Sequence, residues 1–388
     1  MKRIVLFIQS AIMLLALNSC IQDEPLNAEC DITGVDQEWY NQYAAATESN
    51  PQGKGYWIGE PKINEELHRV SFTVKLGTDR SNFAPKFTLM PGTRLTALVD
   101  GQTIDANGIT RDFTLPQTYT THSEDGQWHK DYTVSFNYPQ PIETLGFANY
   151  KLSGKYYTWI EKDDNDNELD YWASGNGGYA LVGIAKKPED FPTSPLNDVE
   201  RGPAVKLVTS RTGSFGDMVK MPIAAGSIFI GKFDNKIAMK KPRKATEFGL
   251  QVLKGKPKSL EGWYKYKAGE VFTDKDKNIC PERHDTADIY AVVYEVDPNN
   301  FVALDGDNVL SSDRIVLMAR IDNPGEPDNW TSFSEPFKLM NGKTFDPERL
   351  ASYGYAIAVV ATSSRQGAYF EGAIGSTLYI NQLKVIYE

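Results

Sequence analysis

The sequence predicts an all-β protein, with an N-terminal immunoglobulin-like sandwich followed by a larger jelly-roll β-sandwich. Three observations carry this. Apolar and polar residues alternate with period two, the pattern of half-buried strands. Turn pairs such as Pro91-Gly92, Asp100-Gly101, Asn107-Gly108 and Asp125-Gly126 recur at close spacing. Helical periodicity is nearly absent across both halves of the chain.

The chain opens with Lys2 and Arg3, then an apolar run from Ile4 to Leu17, then Asn18-Ser19-Cys20. A basic start, a short apolar core and small residues before a cut describe a secretory signal over residues 1–20. The run is shorter than the roughly 20 residues a membrane-spanning helix needs. Leu-x-small-Cys resembles the lipobox of bacterial lipoproteins, which implies a lipid on Cys20 and anchoring to the membrane through it. Gln22-Asp23-Glu24 resembles the surface-export signal of Bacteroidetes lipoproteins, implying an outer-membrane protein exposed at the cell surface. Residues 21–32 read as a tether.

Residues 33–138 form the first predicted sandwich. Val70, Phe72, Val74 and Leu76 alternate with Ser71, Thr73 and Lys75, and Tyr132, Val134, Phe136 and Tyr138 repeat the pattern. Short strands with frequent turns over about 100 residues suit an immunoglobulin-like domain. One helix is expected near Gln37 to Ala46. Residues 139–144 follow as a linker stiffened by Pro139 and Pro141.

Residues 145–388 again read as strands. Ile228–Phe233, Asp288–Val296, Arg314–Ile321, Tyr355–Thr362 and Thr377–Tyr387 are rich in β-branched or aromatic residues and bounded by turn formers. In the last, Tyr379, Leu383, Val385 and Tyr387 face one way and Leu378, Ile380 and Ile386 the other, so a strand covered on both sides is expected. Only Phe345–Ser352, with Asp346-Pro347 as cap and first turn, reads as a helix.

Composition narrows the partners. The formal net charge is −10, and removal of Lys2 and Arg3 with the signal takes it to −12. An acidic body repels phosphate backbones, so nucleic acid is not expected. Of three cysteines, Cys20 is assigned to lipid, and Cys30 and Cys280 lie in different predicted domains with no C-x-x-C spacing; both are expected as isolated thiols. A monomer, or a subunit of a surface complex, is the expected state.

Several chemistries lack their residues. None of the four histidines sits in H-E-x-x-H, and no G-x-S-x-G occurs. Gly342-Lys343-Thr344 ends like a P-loop, but Phe337 stands where its first glycine belongs. Carboxylate chemistry remains. Glu371, between Phe370 and Gly372, is a candidate acid, because partial burial raises a carboxyl pKa. Asp288, opening a strand after His284-Asp285, is its candidate partner. A retaining pair stands about 5 Å apart and an inverting pair about 6.5–9.5 Å. Equally, Glu371 reads as a structural carboxylate that accepts N–H bonds at a glycine-rich turn.

No cofactor is expected, with one metal exception. Asp163-Asp164-Asn165-Asp166-Asn167-Glu168 is dense in oxygen ligands, so Asp163, Asn165 and Asn167 are calcium candidates. Glu168 stands where an EF-hand loop has glycine, and a solvated acidic loop is the simpler reading.

Two segments mix aromatic and polar residues as a glycan groove does. Gly262-Trp263-Tyr264-Lys265-Tyr266-Lys267 is one; Tyr171-Trp172 followed by Ser174-Gly175-Asn176 is the other. Sugar C–H faces stack on rings, and Asn and Lys bond hydroxyls. Trp172, Asn176, Trp263, Tyr264, Lys265 and Tyr266 are therefore the candidate ligand-binding residues. The competing reading packs these rings into the sandwich core.

Tyr119 to Gly126 with Tyr132 to Phe136 resembles the last strands of Ig-like domains in Bacteroidetes lipoproteins, which implies a spacer. Tyr171–Asn176, Ala225–Phe233, Gly262–Tyr266, Asp288–Val292 and Phe370–Ser376, in that order, resemble the putative carbohydrate metabolism domain of such lipoproteins. That resemblance implies a jelly-roll and a role in handling oligosaccharide or polysaccharide. Trp263 departs from it, standing where the family often has Tyr. Three functions follow: glycan binding at the surface, carboxylate-dependent glycoside hydrolysis, or a structural or adhesive role without soluble ligand.

Overall fold

The computed structural model describes residues 26–388 apart from 45, 47–49, 59, 76–77, 139–142, 163–167, 170, 250, 254 and 298–299. Cys20, the signal segment, most of the linker and the calcium candidates Asp163, Asn165 and Asn167 lie outside the described residues.

The N-terminal module contains β1 (Ile32–Val35), β2 (Lys62–Asn64), β3 (Arg69–Thr73), β4 (Phe87–Leu89), β5 (Arg94–Val99), β6 (Gln102–Asp105), β7 (Gln117–His122) and β8 (His129–Asn137). Six of them form one sheet in the order β2-β3-β8-β7-β5-β6, while β1 pairs with β4. Strands β3 and β8 run parallel, with Val70 beside Val134 and Phe72 beside Phe136. Their alternation buries Val70, Phe72, Val134 and Phe136 in one core with Trp39, Trp57 and Phe83. Each such ring contributes about 1.5–3 kcal/mol through burial alone. The expected helix is α1 (Gln37–Asn41), and the Asp36 side chain caps it by accepting the Trp39 N–H at 2.9 Å.

The second module is a two-sheet sandwich. Besides several short strand pairs, its two sheets are built mainly from β9 (Thr144–Leu145), β10 (Trp172–Ser174), β11 (Thr193–Asp198), β12 (Gly202–Val208), β13 (Ser227–Phe233), β14 (Thr246–Phe248), β15 (Pro257–Lys267), β16 (Asp288–Glu295), β17 (Leu304–Asp305), β18 (Ile315–Arg320), β19 (Thr331–Pro336), β20 (Lys338–Leu339), β21 (Tyr355–Thr362) and β22 (Thr377–Tyr387). One sheet runs β11-β12-β22-β15-β19, with β9 also on β22. The other runs β17-β14-β13-β21-β16-β18-β20, with β10 on β13. The five strands predicted here appear with ends displaced by at most one residue.

The sheets face each other across a core that includes Leu260, Tyr264, Tyr266, Leu378, Ile380, Leu383 and Val385 from the smaller sheet and Ile228, Ile230, Ile289, Ala291, Ile357 and Val359 from the larger. Two glycines allow this fit. A Cβ on Gly226 would stand 2.3 Å from Pro192 O, and one on Gly231, at φ +156°, would stand 2.0 Å from Glu247 O.

Two expectations need correction. First, Leu378, Ile380, Leu383 and Val385 all face the same core, so β22 does not split its apolar residues between two faces as its sequence parity suggests. A bulge changes the parity: Glu261 pairs with Lys384 but Trp263 with Asn381, and Gln382 takes φ +48°. The strands covered on both faces are β16 and β21, whose other faces join a second apolar cluster with Phe229 and Phe248. Second, Pro347–Ala351, capped by Asp346, is not the sole helix of this module; Asn176–Ala180 and Gly213–Met218 are also helical turns. Their glycines hid them from a propensity reading.

The modules touch through the β2–β3 turn. Ser153 Oγ donates to Glu66 O at 2.8 Å, Tyr156 hydroxyl donates to the Glu66 carboxylate, and Lys236 Nζ lies 2.9 Å from Glu65 Oε1. Cys30 is buried and Cys280 partly buried, and both are free thiols.

Candidate functional site

The sequence-nominated rings divide by strand parity. On β15, Tyr264 and Tyr266 point inward and are 6% and 2% exposed, and Tyr264 hydroxyl donates to Pro324 O at 2.6 Å. Trp172 is also sealed in the core, against Phe147. Its Nε1 donates to Glu161 Oε1 at 2.8 Å, and burial pushes the Glu161 carboxyl up to about 7. Asn176 is fully buried and exchanges two bonds with the Thr193 backbone, at 2.8 and 3.1 Å. These four residues build the sandwich; of them only Trp172, 5% exposed, borders a cavity, one of about 260 Å³ shared with Tyr156 and Trp159. For the three aromatics the physical reason is common: a wide two-sheet core recruits large rings from inward positions.

Trp263 and Lys265 do point outward, but both are covered by neighbours. The Arg201 guanidinium lies 3.2 Å from the centre of the Trp263 ring. Lys265 Nζ lies 3.3 Å from Asp198 Oδ2 and stands over the rings of Trp330 and Tyr379.

The nominated carboxylates are each held by an arginine. Asp288 is 2% exposed and bonded in fork geometry by Arg320, at 2.8 and 2.7 Å. Burial pushes its pKa up, and Arg320 and Arg365 pull it back. Glu371 accepts from Arg283 Nη1 at 2.7 Å. Asp288 lines the cavity described next, and Glu371 does not.

That cavity, of about 340 Å³, lies on the outer face of the larger sheet. Its floor is built in register. Phe229 on β13 and Tyr290 on β16 both pair with Val360 on β21, so two aromatic rings and a valine form one row. The next row is Ser227, Thr362 and Asp288. Met221, Ile223, Phe233, Phe248 and Val309 add walls.

The rim comes from the Gly367–Ser376 loop. A short turn over Gly367–Tyr369 ends at Phe370 in the left-handed region, φ +62°. The turn leaves Tyr369 49% exposed at the cavity, with the Arg243 guanidinium 4.7 Å from its ring centre. Arg243 in turn pairs with Asp307 at 2.8 Å. Asp285, 2% exposed, anchors the loop: its Oδ2 accepts from Ser364 Oγ at 2.5 Å, Ser376 Oγ at 2.7 Å and Ala373 N–H at 2.8 Å. The carboxylate role anticipated for Glu371, accepting at a glycine-rich turn, is thus filled by Asp285. Sequence reasoning passed over Tyr369, Arg243 and Phe229; only the position of Tyr369 beside Phe370-Glu371-Gly372 could have flagged it.

Comparison with known proteins agrees with this architecture. The family model described as "Putative carbohydrate metabolism domain" matches residues 146–386, and the model "SGBP, N-terminal", for surface glycan-binding proteins, matches residues 57–136. The crystal structure of a putative glycoside hydrolase from Bacteroides thetaiotaomicron is 38% identical, with a TM-score of 0.80 over 95% of this chain and 99% of that one. A second, a putative glycoside hydrolase from Bacteroides vulgatus, is 37% identical, with a TM-score of 0.59 over 64% of this chain and 100% of that one. No curated protein matches the chain significantly.

Proposed function

Because the chain belongs to the family of the putative carbohydrate metabolism domain, we propose that its second module binds oligosaccharide or polysaccharide at the cavity on the outer face of the larger sheet. Carbohydrate utilisation is the setting shared by both matched modules and by the structural relatives. The observation that carries the reading is the half-exposed Tyr369 ring at the cavity mouth, beside the Arg243–Asp307 pair. Arg243 stands over one face of this ring, yet half of the side chain stays in water and offers surface for stacking, while the charged pair beside it offers hydrogen bonds.

Binding is favoured over hydrolysis by the state of the cavity's carboxylates. Asp288 and Asp307 line it, and each is bonded to an arginine. A general acid must hold a proton near neutral pH and reach the leaving oxygen. Burial favours the protonated form of Asp288, but a carboxyl held in a fork by Arg320 and almost wholly buried does not reach a leaving oxygen.

The N-terminal module acts as the spacer that holds this cavity away from the membrane. A lipid on Cys20 anchors the chain, in this reading, to the outer membrane at the cell surface. It works as a monomer or within a surface complex, without a cofactor unless calcium fills the Asp163–Asn167 stretch. Metabolic labelling with an alkyne fatty acid tests the anchor: label should enter the wild type and not Cys20→Ser.

Calorimetric titration of the full chain with neutral plant and mucin oligosaccharides tests the binding. At least one should bind, and Tyr369→Ala should weaken it about tenfold or more. Silence from every glycan, or an unaltered affinity in the variant, overturns the assignment.

A further inference from the structure

Resting on the glycan-binding reading, the chemistry of the cavity also defines what kind of glycan fits it. The mouth is aromatic and charged, through Tyr369, Arg243 and Asp307. The interior is different. Its floor and walls are the side chains of Phe229, Val360, Met221, Ile223, Phe248 and Val309. Several polar groups that line it are engaged with other protein groups, while Tyr290 and Ser227 add hydroxyls to the lining. Ser364 Oγ donates to Asp285, Thr246 Oγ1 donates to Arg243 O at 2.7 Å, and Tyr179 hydroxyl donates to Arg211 O at 3.0 Å. Asp288 is held by Arg320 and almost wholly buried.

A bare pyranose pushed into this interior would strip water from several hydroxyls and find few partners. Each hydroxyl left unpaired costs about 1–3 kcal/mol. The same surface suits a flat aryl group, because its ring gains apolar contacts and brings in at most one or two polar groups where a pyranose brings several hydroxyls. The volume, about 340 Å³, falls at the small end of ordinary ligand pockets. An acetyl group would leave most of it empty, whereas a substituted aryl group with its linker occupies several times the volume of an acetyl.

We propose that the ligand is a glycan carrying an ester-linked aromatic substituent of the hydroxycinnamoyl class. The sugar rests on Tyr369 at the mouth, and the aryl group enters the apolar interior over the packed pair Phe229 and Phe248, whose ring centres are 4.7 Å apart.

The test uses the full chain and three probes in calorimetric titration: a feruloylated arabinoxylo-oligosaccharide, the same oligosaccharide after alkaline removal of the ester, and methyl ferulate. The esterified sugar should bind about tenfold or more tightly than the de-esterified one, which is about 1.4 kcal/mol. It should also bind more tightly than methyl ferulate, and Tyr369→Ala should erase the second margin. Equal affinity for the two sugars overturns this inference while leaving glycan binding intact. So does silence from all three probes, if other glycans of the neutral panel bind. Methyl ferulate binding as tightly as the esterified sugar removes the sugar from the site and overturns the parent reading too. Silence from every probe and every glycan overturns both.

Discussion

Asp285 Oδ2 accepts the backbone N–H of Ala373 at 2.8 Å across 88 residues of sequence, fixing the loop that carries Tyr369 to the start of strand β16. Ser364 and Ser376 donate to the same oxygen, and Thr209 Oγ1 stands 2.5 Å from Ser364 Oγ. The rim of the cavity is therefore positioned by a buried carboxylate that lies outside the cavity lining.

Asp285→Asn should disturb both fold and rim. Its new NH₂ would face donors that now share a carboxylate, at a cost of about 1.5–3 kcal/mol. The urea midpoint should fall, and glycan affinity should fall at temperatures where the variant stays folded. A variant with unchanged midpoint would show that the loop is held by other contacts.

Asp288 and Arg320 form a buried ion pair whose role should be structural. Asp288→Ala leaves Arg320 without its carboxylate and should cost about 3–5 kcal/mol. Replacing both, as Asp288→Ala with Arg320→Leu, should recover part of that loss, the remainder reflecting Arg365, which lies 3.6 Å from Asp288 and keeps its charge. If Asp288→Ala keeps its stability yet abolishes a glycosidase activity, the residue is chemical instead.

Glu161 makes stability depend on pH. Burial raises its carboxyl from the ordinary 4.5 to about 7, against the lowering effect of the Trp172 N–H. The folded state therefore holds a proton that the unfolded state releases between pH 4.5 and 7. Its stabilising contribution is complete below that window and is lost as pH rises through 7. Glu161→Gln should match the wild type near pH 4.5 and exceed its unfolding free energy at pH 8 by up to about 3 kcal/mol. Denaturant unfolding at the two pH values checks this; a gain of equal size at both would contradict the assigned cause.

Two exposed-face aromatics should behave oppositely. Tyr369→Ala should remove glycan binding and barely change stability, because half its surface is already in water. Trp263→Ala should leave binding unchanged, because Arg201 already occupies its ring face, and should cost about 1 kcal/mol or less if the cation–π contact is its main contribution. Reversed results would return the site to the β15 surface.

Much of this was legible in the chain. Alternation at Val70–Val74 and Tyr132–Phe136 identified β3 and β8, and the runs at 288–296 and 355–362 identified the central strands of the larger sheet. Parity along β15 placed Trp263 opposite Tyr264 and Tyr266, as observed. It did not reveal which face met the core, because both faces carry aromatics. Parity failed outright on β22, where the bulge at Asn381–Gln382 moved Leu383 and Val385 to the side of Leu378 and Ile380.

The sequence by itself determined the all-β class, the strand positions and the resemblance that ties the second module to carbohydrate. Those depend on local periodicity, turn chemistry and motif order, which a linear chain carries. Tertiary structure alone decided the site. Phe229, Tyr290 and Val360 become one floor because antiparallel register brings three distant strands side by side. Tyr369 becomes a rim because Asp285, far off in sequence, holds its loop. Register and long-range bonds are set by the packing of the whole sandwich, and no short window of residues encodes them.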